Sequence, residues 1–244
     1  MVDKAISFDG DDYAVIPYHA DFDMGSGDFA YELWFYLNSN AGTIIGSNDA
    51  SSYAPIWLYL GGDGNLYSYF ANSTPNWVYN AHAVSTGAWI HYVLTRISGV
   101  SKCYFNGVPD ASFTGDTNCT IYAPLTDLYL ARAGVYSSPL YGTIDIDEFR
   151  VYKGQGLDQA AVDLRYAAGA GWYGTLPDSG LIAGYHFDDV ADDYCDSHNA
   201  TVVFGATYVA GKVIQPGGGW GHKFMGISDP AKVYGSNYSK VFGL

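Results

Sequence analysis

The sequence predicts an all-β protein, one large antiparallel jelly-roll β-sandwich with one short helix and a small C-terminal docking tail. The chain of 244 residues holds 30 Gly, 23 Tyr, 12 Phe and 6 Trp, and only 15% of it is charged. Aromatic side chains favour pleated, half-buried strands, and glycines serve the many turns that short strands need. Phe29–Leu37 and Trp89–Ile97 alternate with period two, and turn signals recur roughly every eight to twelve residues, as in sandwiches.

The N-terminal strands are predicted around a turn. Ala5–Phe8 and Tyr13–Pro17 flank Asp9–Asp12, whose Gly and Asp residues indicate a hairpin-like turn. Phe29–Leu37 is largely apolar on both of its faces, which is typical of an inner strand covered on two sides. Short strands are then expected at 42–47, 55–60 and 66–71.

The later elements follow the same logic. After Trp89–Ile97, the pair Asn106-Gly107 is the most compact hairpin signal of the chain. Leu157–Ala167 carries apolar residues at helical spacing and predicts one short surface helix. Further strands are expected at 102–105, 120–122, 127–131 and 142–152.

Three strings together resemble the laminin-G-like, concanavalin-A-like sandwich. They are AISFDGDDYAVIP at Ala5–Pro17, the segment Gly87–Asp110, and YGTIDIDEFRVYKG at Tyr141–Gly154. The resemblance implies a fold that usually binds sugars or proteins and only sometimes cuts glycans. It also implies that His91, within WIHYV, is a packed strand histidine rather than a ligand.

Residues 180–215 resemble a segment that precedes the first of these strings in the family. The segment contains YHFD, DSHN and GATYVAGK, and here it follows the sandwich. We expect it to close the sandwich of its own chain, while strand exchange with a neighbouring subunit and a truncated second domain are the alternatives. The predicted units are a sandwich core at 1–154, a helical connector at 155–179, displaced strands at 180–216 and a tail at 217–244.

The strongest catalytic candidate is Ile144–Glu148. Retaining glycanases of this fold need two carboxylates on one strand face, about 5–5.5 Å apart. Asp145 and Asp147 share a face by alternation, but Glu148 falls on the other face and position 149 is Phe149. The pattern therefore fails where the chemistry needs it, and we predict no catalytic residue and no enzyme.

The same string fits the non-catalytic family pattern, in which Glu148 and Arg150 point the same way and pair with each other or with loop backbone. The resemblance implies calcium as a cofactor, held by Asp147, Asp196 and Asn199 with backbone carbonyls. The alternative is a buried Asp147 that accepts backbone N–H groups without a metal. His186 and His198 show no metal-like spacing.

Aromatic residues crowd the middle of the chain and predict a binding surface. Trp77, in the loop-like segment Ser73–Asn80, is the main candidate, with Tyr53 and Tyr79 beside it. Trp57, Tyr59, Tyr67 and Tyr69 belong to the same crowd, whereas Trp34 and Trp89 are predicted core residues. A protein interface is an equally expected use of these rings.

Charge and cysteine content exclude several classes of function. The net charge of −14 repels nucleic acid. No apolar stretch of 18 residues is present, so membrane insertion is not expected. Three cysteines without paired spacing argue against a disulfide framework or a cysteine zinc site. The N-terminus lacks a signal-peptide pattern, so we expect synthesis in a host cytoplasm.

The tail contains a loose K-x-x-G repeat that resembles the C-terminal tails of some tailed-phage structural proteins. Its predicted assembly residues are Lys223, Phe224, Lys232, Tyr234, Lys240 and Phe242. The leading hypothesis is therefore a virion structural or adhesion protein, in a fibre, tail appendage or capsid decoration. Its expected partners are its own copies, other virion proteins and host-surface glycan. The alternatives are a free lectin and a glycoside hydrolase.

Overall fold

The computed structural model describes residues 3–39, 42–47, 56–70, 78–111, 113, 127–133, 140–173, 180–195, 198–203 and 205–213. These residues form two antiparallel sheets, a two-stranded ribbon and one α-helix, so the predicted all-β sandwich is confirmed. The predicted strand at 120–122 lies outside the described residues. The elements are β1 Lys4–Asp9, β2 Tyr13–Ile16, β3 Phe29–Leu37, β4 Gly42–Ser47, β5 Trp57–Leu60, β6 Asn65–Phe70, β7 Val78–Ala83, β8 Trp89–Ile97, β9 Val100–Phe105, β10 Val108–Pro109, β11 Leu128–Leu130, β12 Arg132–Ala133, β13 Leu140–Tyr141, β14 Thr143–Lys153, α1 Gln159–Tyr166, β15 Leu181–Tyr185, β16 Thr201–Val203 and β17 Thr207–Ala210.

The two sheets enclose the core. The first sheet has eight strands in the order β10-β9-β8-β3-β14-β1-β17, with β15 as a second partner of β14. The second sheet has seven strands in the order β16-β2-β11-β4-β5-β6-β7. Leu33 and Phe35 on β3 pack against the second sheet's residues, such as Leu58 and Leu130, in one apolar cluster. Each such side chain contributes about 1.5–3 kcal/mol through its burial.

The hairpin predicted at Asn106-Gly107 is confirmed. Both residues have positive φ angles, 51° and 81°, as a two-residue hairpin turn requires. Val108 is the register partner of Phe105 across the turn.

The hairpin predicted at Asp9–Asp12 is wrong, because β1 and β2 belong to different sheets. β1 already has β14 on one edge and β17 on the other, so β2 has no edge of β1 to pair with. The chain turns at Gly10, whose φ is +114°, and β2 pairs with β11 and β16 in the second sheet. The turn therefore links the two layers.

A β-bulge interrupts β14. Asp147 is opposite Trp34 on β3, but the next register pair joins Arg150 to Glu32, so two residues of β14 oppose one residue of β3. Glu148, with a φ of +53°, is the inserted residue. Alternation is broken there, and the prediction that Glu148 faces away from Asp147 is wrong. Its side chain lies on the outer face, where it contacts Arg150 as predicted.

The three C-terminal strands pair with strands of the same chain. Tyr185 on β15 is opposite Phe149 on β14, and Tyr208 on β17 is opposite Ile6 on β1. β16 pairs with β2, so the segment extends both sheets. β1 and β15 occupy consecutive parts of the same edge of β14, and the bulge lies where β14 changes partner.

The segment between β14 and β15 covers the outer face of the first sheet. Its helix α1, in the predicted place, begins at Asp158, whose Oδ1 accepts a hydrogen bond from the Ala161 N–H at 2.9 Å. Val162 on α1 and Leu157 before it pack on Tyr152 and the neighbouring strands. Both faces of β3 are therefore covered, as its sequence indicates. In the described part of the chain, no helix has the length and apolar character of a transmembrane span.

Closure within one chain predicts an intrachain cross-link between β1 and β17. Lys4 and Ala210 are register partners, and such residues lie about 4.5–5.5 Å apart, which suits a disulfide. We expect oxidised Lys4→Cys/Ala210→Cys protein to remain monomeric, measured by non-reducing electrophoresis and mass. The matched control Lys102→Cys/Ala210→Cys should not cross-link within the monomer, because β9 and β17 are not neighbours. Covalent dimers of the first variant would instead indicate strand exchange.

Candidate functional site

A row of aromatic rings lies on the outer face of the second sheet. On β5, Leu58 and Leu60 point into the core, so Trp57 and Tyr59 point outward and are half-buried. Tyr67 on β6 is the register partner of Tyr59 and shares its face. We call Trp57, Tyr59 and Tyr67 the aromatic row.

The rings of the aromatic row stack on one another. The ring centroids of Trp57 and Tyr59 are 4.5 Å apart, and those of Tyr59 and Tyr67 are 5.1 Å apart with planes 15° from parallel. Offset stacking of this kind fixes the rings and adds about 0.5–1.5 kcal/mol per pair. The row is therefore a preformed apolar ridge.

A carboxylate marks one end of the row. The Tyr67 hydroxyl donates to Asp63 Oδ2 at 2.6 Å, and the Asn65 side chain donates to the same oxygen at 2.9 Å. These hydrogen bonds lower the pKa of Asp63 to about 2. Asp63 is exposed and ionised at neutral pH, so it is a strong acceptor for hydroxyl groups beside the rings.

A second aromatic cluster lies in the second sheet, across β4 from the aromatic row. The Arg132 guanidinium carbon is 4.5 Å from the Tyr13 ring centroid and 5.0 Å from the Tyr129 ring centroid. The β12–β13 ribbon brings Arg132 here by crossing close to β4, where a Cβ on Gly46 would lie 2.6 Å from the Arg132 carbonyl oxygen. Cation–π contacts occupy these rings, which leaves the aromatic row as the better candidate for a ligand.

The predicted ligand residues fall only partly within the described chain. Tyr53 and Trp77 lie outside it. Tyr79 lies on β7 rather than in a loop, and its backbone is opposite Tyr69 on β6; the description does not extend to its side chain. Their binding role stays a prediction. The aromatic row could have been identified by combining the period-two patterns of WLYL and NLYSYF.

A buried polar network lies on the covered face of the first sheet. It contains Glu32 and Glu148, the two glutamates of the chain. Glu32 Oε1 accepts a hydrogen bond from Arg150 Nη1 at 3.4 Å, and Arg165 Nε lies 3.2 Å from Glu32 Oε2. Arg150 also contacts Glu148, so two carboxylates face two guanidiniums without contact with water.

The network holds Glu32 ionised. Burial opposes its charge, but Arg150, the hydrogen bond from His91 and Arg165 outweigh the burial and lower the pKa of Glu32 to about 2. His91 is fully buried with Nε2 3.1 Å from Glu32 Oε1, a packed strand histidine as the sequence predicts. Its contact explains why a polar residue occupies the middle of β8.

Glu148 and His186 form a second part of the network. His186 Nδ1 is 2.7 Å from Glu148 Oε1, and the His186 ring stacks between Tyr173 and Tyr194. Burial raises the pKa of Glu148 to about 8 against the attraction of Arg150. Burial and Arg150 lower the pKa of His186 to about 4. Both shifts favour the neutral forms, as expected of groups removed from water.

The carboxylates of the glycanase-like string contact groups of the protein itself. Asp145 accepts hydrogen bonds from the Ser7 hydroxyl at 2.6 Å and the Asn38 side chain at 3.0 Å. Asp147 is 1% exposed, and its Oδ2 accepts the N–H groups of Lys212 at 2.7 Å and Val213 at 3.0 Å. Burial and Glu148 raise the pKa of Asp147. Asp147 therefore accepts backbone N–H groups, as the alternative without a metal predicts, and links β14 to the segment after β17.

The other predicted calcium ligands lie in the loop after β15. Asp196 lies outside the described residues. Asn199 Oδ1 accepts the Asp193 N–H at 2.8 Å. Asp193, which the sequence did not single out, organises this loop by accepting N–H groups of Gly184, Cys195 and His198. Calcium binding by Asp147, Asp196 and Asn199 stays a prediction. The tail residues 223–244 also lie outside the described chain.

The buried network predicts a stability effect that depends on pH. Glu32→Gln removes the carboxylate that contacts both guanidiniums, and we expect the unfolding free energy to fall by about 3–5 kcal/mol at pH 7. Since the pKa of Glu32 is lowered to about 2, its contribution is present above pH 4.5 and is lost as the pH falls toward 2. The difference between wild type and variant should therefore shrink across that window in urea denaturation.

The matched control is Asp163→Asn, which changes an exposed carboxylate of α1. It should alter the unfolding free energy by less than about 0.5 kcal/mol. A Glu32→Gln variant as stable as wild type at pH 7 would contradict the role given to the network.

The fold and these faces can be compared with known proteins. The model of the concanavalin A-like lectin/glucanases superfamily matches residues 8–162, more than half of the chain. No curated protein matches the sequence.

Solved structures show the same fold. A Bacteroides ovatus protein described as a candidate carbohydrate-binding protein is similar with a TM-score of 0.61 and 19% identity, covering 86% of this chain and 60% of its own. A Trypanosoma rangeli sialidase in complex with sialic acid gives 0.52 and 11%, covering 68% and 28%. The chain thus spans less than two thirds of each of these structures. On the family match and the two-sheet sandwich together, the chain belongs to the concanavalin A-like lectin/glucanases superfamily.

Proposed function

We propose that the chain is a non-catalytic carbohydrate-binding protein and that the aromatic row is its binding face. The observation that carries the proposal is the stacking of Trp57, Tyr59 and Tyr67 as half-buried rings on the outer face of the second sheet. Sugar rings present CH groups that pack on aromatic surfaces, and rigid rings lose little entropy on binding. The candidate carbohydrate-binding protein of Bacteroides ovatus supports this assignment by its fold.

The charges favour a neutral glycan. The chain carries a net charge of −14, and Asp63 is ionised beside Tyr67. Sulfated or carboxylated polymers would be repelled by this surface. A neutral polysaccharide offers hydroxyl groups that can donate to Asp63 in charge-assisted hydrogen bonds, while its CH faces contact the rings.

Burial of the glycanase-like carboxylates supports the absence of catalysis. Asp147 and Glu148 are 1% and 0% exposed, beneath residues of the connector and the segment after β17. A glycosidase needs both carboxylates in contact with the scissile bond. Reducing ends released from a polysaccharide by the wild-type protein would contradict the non-catalytic assignment.

Removing a ring of the aromatic row should weaken glycan binding. For Trp57→Ala and Tyr59→Ala we expect affinity for a neutral polysaccharide to fall about tenfold each, or ~1.4 kcal/mol. Affinity electrophoresis in gels containing the polysaccharide would measure the change. The matched control is Tyr18→Ala, which removes an exposed ring elsewhere, 48% accessible. Equal retardation of all three variants would contradict the site, and wild-type binding to protein but not to glycan would identify a protein interface instead.

The virion role rests on the tail repeat of Lys223, Lys232 and Lys240 and on the sequence resemblance. Deleting residues 223–244 should leave the thermal unfolding midpoint of the sandwich unchanged, because Gly217-Gly218-Gly219 separates the repeat from the sandwich in the sequence. The same deletion should abolish joining to partner subunits, measured by the mass of the native complex. Unchanged assembly would contradict the role proposed for the tail, and glycan binding by an isolated monomer would favour a free lectin.

A further inference from the structure

Three side chains of kinds that can bind a metal, two near the N-terminus and one near the C-terminus, lie together beside the sandwich. His19 and Asp21 lie at the short 3-10 turn after β2, and His198 lies before β16. One ligand atom from each lies within 4.8 Å of the other two. Asp21 Oδ2 is central, 3.1 Å from His19 Nδ1 and 3.4 Å from His198 Nε2.

These separations fit a tetrahedral metal centre. Zn²⁺ binds histidine nitrogen at about 2.0–2.1 Å and carboxylate oxygen at about 2.0–2.2 Å. Two such ligands at a tetrahedral angle are about 3.3–3.5 Å apart, which the two spacings to Asp21 Oδ2 approach or match. His19 Nδ1 accepts the Asp21 N–H at 3.2 Å, and a metal ion at Nδ1 would replace this hydrogen bond.

His198 is held in place by its backbone, and its ring nitrogens make no hydrogen bond among the described residues. The residue is 4% exposed. Leaving such a buried polar group unsatisfied costs free energy. Its backbone is fixed from both sides, because the His198 N–H donates to Asp193 and its carbonyl accepts from the Tyr185 hydroxyl.

Asp193 also lies behind the ring of His198. Its Oδ2 is 3.4 Å from His198 Nδ1, on the side of the ring away from Nε2. Histidine ligands commonly direct their second nitrogen toward a carboxylate, which fixes the tautomer that leaves the other nitrogen free to bind the metal. The Phe22 ring packs edge-on against His198 at 4.9 Å and closes the apolar side.

We propose that His19, Asp21 and His198 form a divalent transition-metal site of the zinc class. His19 and Asp21 are about half exposed, so solvent can reach a fourth position while His198 Nε2 approaches from the buried side. Two imidazoles and one carboxylate suit Zn²⁺, whereas Ca²⁺ takes six to eight oxygen ligands. His198 lies between Asp196 and Asn199 in the sequence, which the family resemblance implies as calcium ligands, but His19 and Asp21 are not among those ligands.

Metal binding would join the displaced C-terminal segment to the N-terminal part of the sandwich. His198 belongs to the loop between β15 and β16, and Asp21 belongs to the segment between β2 and β3. A ligand that binds the folded state alone stabilises it in proportion to its concentration. Zn²⁺ should therefore raise the unfolding midpoint of the full chain, and a chelator should reverse the increase.

The test is titration of the chelator-treated full chain with Zn²⁺ by calorimetry. We expect one site per chain, and we expect His19→Gln and Asp21→Asn each to weaken it at least about tenfold, since even outer partners of metal ligands contribute about 10- to 100-fold. Both residues are exposed enough that their variants should fold. His198→Asn tests the third ligand, with far-UV circular dichroism to establish that it is folded.

Two matched variants locate the binding. His82→Gln removes a histidine that lies 3.0 Å from Asp110, and His222→Gln removes the tail histidine; neither should change the affinity. Zn²⁺ should also shift the imidazole ¹⁵N signals of His19 and His198 in nuclear magnetic resonance spectra. Loss of binding in His222→Gln, retention in His19→Gln and Asp21→Asn, or a wild type that binds no Zn²⁺ would each overturn the proposal.

Discussion

The sandwich depends on one strand edge shared by two partners. β14 pairs with β1 up to Ile146 and with β15 from Phe149 onward, and the bulge at Glu148 separates the two pairings. Arg150 lies two residues after the bulge and contacts segments on the outer face of the first sheet. Its guanidinium contacts Glu32 on β3 and donates to the Tyr194 hydroxyl and the Trp172 carbonyl. A buried cation that pairs with groups from three other chain segments links the C-terminal strands to the rest of the first sheet.

The local features of the fold could be predicted from the sequence. The period-two pattern of Phe29–Leu37 gave the correct central strand, because alternation depends only on the pleat. Asn106-Gly107 gave the correct turn, because its positive φ angles depend on two adjacent residues. The helix near Leu157 was likewise predictable from spacing and from Asp158 at its start. Each of these signals is contained within a few residues.

The predictions that failed concern features that depend on residues elsewhere in the chain. Asp9–Asp12 reads as a hairpin, yet occupied edges on β1 send β2 to the other sheet. Alternation places Glu148 on the wrong face, because a bulge depends on register with β3. The outward alternation of Trp57, Tyr59 and Tyr67 is visible in the sequence, whereas the contact of Tyr59 with Tyr67 also needs the register of β5 with β6. His19 and His198 meet through folding alone, and no spacing rule could have connected them.

The position of the C-terminal strands also decides which surface can bind a ligand. Since β15 follows β14 in the chain and pairs with it, the connector has to leave the sheet and return. It does so across the outer face of the first sheet, where Leu157 and Val162 pack and the buried network is sealed from water. On the outer face of the second sheet, Trp57 and Tyr59 remain half exposed among the residues that the structure describes. The order of the strands thus places the connector over the first sheet, while the proposed glycan-binding face lies on the second sheet.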